Sequence, residues 1–458
     1  MNMKKIIISS ILFSGYCIGM AQTNPAITSW LHNTTGILGS HYTVAGGSTP
    51  LNDADSANVQ KVYYSTTFAY VKTKGIPSYP TGPYLDGNPS IATNQSAIFK
   101  IPLTPVQNLG TPTNTTGGNI GVFINGIAFF DYRDGVSWRN ASSSLCGGPI
   151  MPPCMGDGVW NRDAVVGERG GFDCSKGHPA MGNYHTHQNP SAFNLDLNVI
   201  STVCNLYAAD GLYAIDSTVH SPLIGFAYDG FPVYGAYGFK NADGTGGIVR
   251  IKSSYSKRTI TTRTTYSTGA TVTPGPPVSA TYPLGYFRED YQYNTTSAAT
   301  PDYLDEHNGR YCVTPEYPSG KYCYFATVDA NWNSAYPYLV GPTFYGTKVV
   351  TDVAAITGSV TEYIPTPLSV LNSDPEEINA TVFPNPANDI VAVQLNGLRR
   401  ENVTIEMYDI TGRLIQKTTV YQGSTIAYFD TQKLYNGQYI IKIISGTAVI
   451  SKKITIIK

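Results

Sequence analysis

The chain has 458 residues, with 30 basic against 31 acidic side chains and charged residues at only 13%. That is about half the charged share of an ordinary soluble domain, and so balanced a chain argues against nucleic acid as a partner. Tyr, Thr, Ser, Asn and Gly stand where charge is missing. The 34 tyrosines offer a flat apolar face with a polar tip, a surface suited to exposed strands in an extracellular or outer-membrane setting.

Lys4 and Lys5 open the chain, followed by the apolar runs Ile6-Ile7-Ile8 and Ile11-Leu12-Phe13 and the small-residue stretch Gly19-Met20-Ala21. This order predicts a secretory signal peptide over residues 1–21, cut before Gln22. The apolar stretch falls short of the roughly 20 residues a bilayer span needs, and nothing later reaches that length, so no transmembrane segment is expected. Cys17 would mark a lipid anchor only behind a small residue, and Tyr16 precedes it.

Residues 22–365 read as one β-rich body with long loops. Short apolar stretches are separated by Gly, Pro and Asn, as in Gly121-Val122-Phe123-Ile124-Asn125-Gly126-Ile127-Ala128-Phe129-Phe130, a hairpin-like pattern. Helical periodicity is scarce, with Asn198 to Ala209 the best short candidate. The stretch Asn241 to Pro283 is rich in Thr, Ser and Gly and carries Arg250, Lys252, Lys257, Arg258 and Arg263. It reads as a solvated loop or ribbon, with a binding patch as the alternative.

Four of the seven histidines fall between His178 and His220. On a strand, His185 and His187 point to the same face, so both imidazoles can meet one ion. His178 brings a third imidazole if Ala180-Met181-Gly182-Asn183 turns back. Three nitrogens with an open position would suit a catalytic zinc or copper site. The competing reading makes these rings hydrogen-bonded structural histidines. Carboxylates form a second group: Asp163, Asp173, Asp229, Asp305 and Glu306. Any of them could complete a metal shell, orient a ligand imidazole or act as general base on bound water. Asp229 is the first choice, on a turn shortly after His220, although an Asx-turn explains it equally well. Asp305 and Glu306 also fit calcium, without EF-hand spacing. No G-x-S-x-G elbow, Walker loop or H-E-x-x-H helix is present.

Beyond the leader lie six cysteines, an even count in a chain bound for an oxidising compartment. Short loops favour Cys146-Cys154, Cys174-Cys204 and Cys312-Cys323. A thiolate zinc site is the competing use, but no C-x-x-C pair exists. After the acidic linker Asn372-Ser373-Asp374-Pro375-Glu376-Glu377, within residues 366–378, runs such as Val391-Ala392-Val393-Gln394-Leu395 and Val403-Thr404-Ile405-Glu406-Met407-Tyr408 alternate with period two. Residues 379–458 therefore predict a small antiparallel β-sandwich. The expected fold class is all-β: a large β-rich body plus that sandwich.

Two resemblances add to this. Phe383-Pro384-Asn385-Pro386, Tyr408-Asp409-Ile410-Thr411-Gly412-Arg413, Leu434-Tyr435-Asn436-Gly437-Gln438-Tyr439 and the closing Lys453-Ile454-Thr455-Ile456-Ile457-Lys458 resemble the type A sorting domain of the type IX secretion system. The resemblance implies the secretion machinery as a partner and a protein that is released or anchored at the cell surface. In the body, the run starts with Trp160-Asn161-Arg162-Asp163-Ala164 and Gly177-His178-Pro179. It continues through Gly182-Asn183-Tyr184-His185-Thr186-His187, His220-Ser221-Pro222-Leu223-Ile224-Gly225, Tyr228-Asp229-Gly230-Phe231-Pro232-Val233-Tyr234-Gly235 and Leu304-Asp305-Glu306. Together these resemble the YHYH domain family over most of residues 22–346. Thr186 stands where the second Tyr of the name-giving motif belongs, and His307 where a Cys is common. The resemblance implies that His178, His185, His187 and His220 lie near one another, but it names no reaction.

Whether the chain is an enzyme stays open at this point. One expectation is a metal-dependent extracellular hydrolase or redox protein, with His185 and His187 as ligands, His178 or His220 completing the site and Asp229 in support. Another is a surface module that binds glycan or cell-wall polymer through Tyr228, Tyr234, Tyr237, Tyr336 and Tyr338. A third is a purely structural protein.

Overall fold

The computed structural model describes residues 23–43, 50–84, 86, 89–148, 154–190, 217–365, 379–396, 402–410, 412–420, 426–445 and 448–458. The expected signal peptide, the helix candidate from Asn198 to Ala209, Cys17, Cys204 and the linker lie outside these residues. The described chain is built from strands with only single-turn helices between them, as the alternating runs predict. Two compact units divide between Pro365 and Thr366.

The body is organised by an eight-stranded mixed sheet made of β1 (Asn119–Phe123), β2 (Ala128–Phe130), β3 (Gly177–Ala180), β4 (Asn183–Thr186), β5 (Leu223–Ala227), β6 (Pro232–Tyr234), β7 (Gly309–Cys312) and β8 (Lys321–Phe325), in the order β3-β4-β2-β1-β5-β6-β8-β7. The first apolar pattern is a hairpin: β1 and β2 pair antiparallel across the Asn125-Gly126 turn, where the Asn125 side chain accepts from the Ile127 N–H at 3.2 Å. Every residue of β5 is buried, as a central strand covered on both faces requires. A four-stranded sheet of Thr361–Tyr363, Val59–Tyr64, Phe68–Thr73 and Ala97–Pro102 shares one core with it. Val62, Val71 and Phe99 pack in the same apolar cluster as Val122, Phe129, Phe226 and Val233. Burying such side chains is worth about 1.5–3 kcal/mol each, and this core is what fixes the sheet edge that carries the histidines.

Several expectations are corrected here. Arg263 is fully buried: its guanidinium pairs with Asp290 at 2.7 and 2.9 Å and donates to the carbonyls of Pro276, Tyr282 and Pro283. Arg258 is also buried, donating to the carbonyls of Thr265 and Glu289. These two cations pin their loop from inside, because a buried charge must be paired or hydrogen-bonded, while the stretch around them, exposed at Thr261, Thr262, Thr264 and most of residues 267–275, is the solvated loop expected. Cys146–Cys154 is a disulfide. Cys174 is disulfide-bonded as well, and its expected partner Cys204 lies outside the described residues. Cys312 and Cys323 are buried free thiols. The register sets Cys312 opposite Lys321 and Cys323 opposite Arg310, so the two sit on a diagonal instead of face to face; a short intervening loop does not fix register.

The C-terminal unit has a three-stranded sheet, Asn379–Phe383, Ile390–Asn396 and Ile426–Asp430, and a four-stranded sheet, Leu414–Val420, Val403–Asp409, Gly437–Ser445 and Ala448–Ile456. Val391, Val393, Ile405, Met407, Ile441 and Ile443 meet in its core, the inward half of each alternating run. The Asn385 side chain of the Pro-Asn-Pro run accepts from the Thr455 N–H at 2.9 Å and donates to the Lys453 carbonyl at 3.1 Å, which ties the motif to the last strand.

Candidate metal centre

The β3–β4 hairpin makes the site. It reverses in two residues, Met181 (φ +49°) and Gly182 (φ +82°), between the paired Ala180 and Asn183. Positive φ at both positions is the mark of the tight turn whose twist suits antiparallel strands. A Cβ on Gly182 would come within 1.9 Å of Thr93 Oγ1, so a larger residue there is strained in its backbone and must also displace the Thr93 side chain. The register set by this turn places His178 directly opposite His185, and His187 follows two residues later on the same face. On the other face, Tyr184 is buried in the core, and its hydroxyl donates to Asp173 at 2.9 Å. Gly177 makes room for that ring, since a Cβ there would lie 2.4 Å from the Tyr184 hydroxyl. Thr186 is buried and closes a local turn with Gln188.

Each of the three histidines brings one ring nitrogen within 4.8 Å of the others. The ring centroids are separated by 4.6 Å (His178 and His185), 5.0 Å (His185 and His187) and 5.7 Å (His178 and His187). Phe130 stacks on His185 at 3.6 Å, and Phe172 meets His178 edge-on at 4.9 Å. His185 Nδ1 lies 2.9 Å from the Asn183 carbonyl and His187 Nδ1 lies 2.6 Å from the Asp131 carbonyl. A carbonyl only accepts, so each ring carries a proton on Nδ1, and Nε2 is the nitrogen turned to the cluster.

A carboxylate that the sequence reading passed over completes the group. Glu168 Oε2 lies 3.2 Å from His187 Nε2 and 3.4 Å from His178 Nε2, yet none of these three buried atoms completes a hydrogen bond of ordinary geometry among the described residues. Glu168 is placed by the single-turn helix Ala164–Gly167, whose first N–H groups are capped by Asp163 and whose end it forms. Burial works against ionising Glu168, but its contacts with His178 and His187 outweigh burial and hold it well below the usual carboxylate range. His187 shows the reverse balance, burial lowering its pKa and Glu168 raising it to a net upward shift. Burial, with His178 and His187 beside it, drives His185 well below its ordinary value; that ring is neutral. The only signal for Glu168 in the sequence is its place a few residues past Asp163, with no spacing rule that links it to the histidines.

The other candidates are elsewhere or otherwise employed. His220 packs against Tyr234, Phe239 and Phe325 with Nδ1 2.7 Å from the Ser221 carbonyl. Tyr234 is on β6, about four strand spacings, or roughly 19 Å, from β4, so His220 does not join the three. Asp229 closes the β5–β6 turn, accepting from the Phe231 N–H at 3.2 Å, the Gly346 N–H at 2.8 Å and the Tyr324 hydroxyl at 2.6 Å. It is the Asx-type turn of the competing reading. Asp173 is filled by the N–H groups of Gly82, Ser175 and Gly177 and the Tyr184 hydroxyl. Asp305 takes Tyr322, His307 and Gly309, while the Glu306 side chain is 56% exposed, so the two share no calcium cage. Asp163 is fully buried, and burial pushes it up to about 7 despite the Tyr338 hydroxyl at 2.6 Å. The five tyrosines offered as sugar platforms, Tyr228, Tyr234, Tyr237, Tyr336 and Tyr338, are all buried, so none is an exposed platform.

Residues 98–337, more than half of the chain, match the family described as YHYH protein. The chain belongs to the YHYH protein family. The YHYH match takes in the whole hairpin, Glu168, the β5–β6 turn and β7–β8. Residues 381–458 match the secretion system C-terminal sorting domain, which makes this YHYH protein a secreted one, sorted by the type IX system. No curated protein matches the chain. No helix among the described residues is long and apolar enough to cross a membrane.

Proposed function

We propose that this secreted YHYH protein binds a divalent transition metal, zinc or copper, through His178, His185 and His187, with Glu168 as a fourth ligand or as the base beside it. The observation that carries the reading is the meeting of three ring nitrogens within 4.8 Å. Two of the rings are held by Nδ1 bonds to backbone carbonyls, and the buried Nε2 atoms of His178 and His187 face Glu168 Oε2 at 3.4 and 3.2 Å without completing a hydrogen bond of ordinary geometry among the described residues. Buried polar atoms without a well-formed hydrogen bond are rare. Imidazole nitrogens plus one carboxylate suit zinc, copper or iron-group ions, and backbone acceptors on the far nitrogen are the usual way of aiming such ligands. A bound ion would supply Lewis acidity; Glu168 is placed to take a proton from a group at the same point.

Elemental analysis of the secreted full-length chain, beside a His185→Ala/His187→Ala double variant, tests this. About one equivalent of zinc or copper in the parent and none in the folded variant is the expected result. No metal in the parent after reloading overturns the reading and leaves Glu168 as the counter-ion of a protonated imidazole, consistent with the upward shift at His187.

A further inference from the structure

A second site lies on the body, apart from the histidines. Tyr132, Tyr255, Tyr266, Tyr291, Tyr293 and Tyr336 wall a cleft of about 380 Å³, within the roughly 300–1,000 Å³ of small-molecule sites. Its wall residues pack on one another. Tyr291 stacks on Tyr336 at 4.2 Å with their planes 6° apart, and Tyr132 and Tyr255 meet Tyr336 edge-on at 5.0 and 5.4 Å. Tyr255, Tyr266, Tyr291 and Tyr293 are only half-buried, so they are more open than the five tyrosines named from sequence.

Arg133 and Arg288 also line the cleft. Each pairs with a carboxylate, Asp131 and Glu289 respectively, but the arginine side chains are 20% and 28% exposed against 0% and 8% for their partners. Asp131 is buried behind Arg133, whereas Glu289 lines the cleft beside Arg288 and is the less exposed of that pair. The Nε bond to Glu289 is the one side-chain hydrogen bond of Arg288 among the described residues, leaving most of a planar fork suited to carboxylate. The Tyr132 hydroxyl is buried at the cleft without a hydrogen bond of ordinary geometry among the described residues. Asn114, Ser267 and Thr268 add polar groups at the lining.

We propose that this cleft binds an acidic sugar, a hexuronate unit of an extracellular polysaccharide. The apolar face of the pyranose lies on tyrosine, its carboxylate meets Arg288 and Arg133, and its hydroxyls use the phenols, Asn114, Ser267 and Thr268. A ring with many hydroxyls fits this mixture of aromatic faces and polar groups better than a plain aromatic acid, which would leave those groups unpaired.

The test is calorimetric titration of the secreted full-length chain with trigalacturonate, and with the neutral cellotriose at the same ionic strength. Saturable binding of the acidic trimer, at least tenfold weaker for the neutral one and weakened by salt, is expected. Tyr293→Ala and Arg288→Lys should each lower affinity tenfold or more. Among the described residues the His185 ring hydrogen-bonds only the Asn183 carbonyl, through Nδ1, so the His185→Ala variant should bind as the parent does, which keeps this site distinct from the metal centre. Absence of saturable binding, equal binding of the neutral trimer, or unchanged affinity in folded Tyr293→Ala would overturn the proposal. Should Arg288→Lys not fold, Tyr293→Ala and the neutral trimer still decide it.

Discussion

Replacing Glu168 by Gln keeps the side chain's length and one acceptor oxygen while removing its charge, so it isolates what the carboxylate does for the three histidines. Oε2 stands 3.2 and 3.4 Å from the two Nε2 atoms, where unit charges at an effective dielectric constant of about 20 interact by about 5 kcal/mol. That is an upper limit, because the Glu168 side chain is 24% exposed and the amide dipole recovers part of the interaction. Groups that support metal ligands typically change affinity by about 10–100-fold, or about 1.4–2.8 kcal/mol. Glu168→Gln should therefore weaken zinc or copper binding by that factor while one equivalent still loads at saturation. Competition against a chromophoric chelator, with near-ultraviolet dichroism to check folding, measures it. An affinity within about twofold of the parent, or a tighter one, refutes the assignment of Glu168 to the metal centre.

Other changes separate structural from functional roles. Tyr324→Phe removes the O–H that Asp229 accepts and the oxygen that the Tyr345 N–H reaches at 2.7 Å; a loss of about 2–4 kcal/mol follows, read as a lower denaturation midpoint with metal content unchanged, and a change below about 1 kcal/mol would mean the Asp229 network holds little. Gly182→Ala should cost about 1–2 kcal/mol for its left-handed backbone plus the displacement of Thr93, lowering metal affinity as the His178–His185 pairing loosens, with Thr93→Ala restoring only the steric part; equal metal affinity in the single variant would show that the turn does not set the ligands. Burial lowers His220 from its ordinary 6.5, more than the Ser221 carbonyl raises it. The folded state thus favours the neutral ring, a contribution present above about pH 6.5 and lost as pH falls towards the lowered value; His220→Phe should flatten this acid-side loss in a pH series of thermal midpoints, and an unchanged slope would assign it to other groups.

The strands and the histidine pair were legible because both depend on local periodicity. Alternation in Val403 to Tyr408 predicts which residues face a core, and the i, i+2 spacing of His185 and His187 predicts a shared face. His178 was legible as a condition on the Ala180-Met181-Gly182-Asn183 turn, and its positive φ values meet that condition. Glu168 and Arg263 were not, and of Asp229 only the Asx-turn was, for one physical reason. The role of a buried polar side chain is fixed by partners remote in sequence: His178 and His187 for Glu168, Gly346 and Tyr324 for Asp229, Asp290 for Arg263. The same holds for Cys312 and Cys323, where strand register overrides the short-loop choice.

A chain with so little charge leaves few ionised groups to spend on solubility, and the described body keeps several of them inside. Asp131 shows how one such residue serves two places at once. Its carbonyl accepts from His187 Nδ1, its carboxylate holds Arg133, and Tyr132 between them lines the tyrosine cleft. A three-residue segment therefore sets the tautomer of one histidine and the direction of one cleft cation. A side-chain substitution at Asp131 releases Arg133 but keeps the backbone carbonyl that His187 reaches, so it acts on the cleft first and on the histidines only through a backbone shift, whereas Tyr293 and Glu168 each touch one site alone; separate roles are assigned by those outer positions.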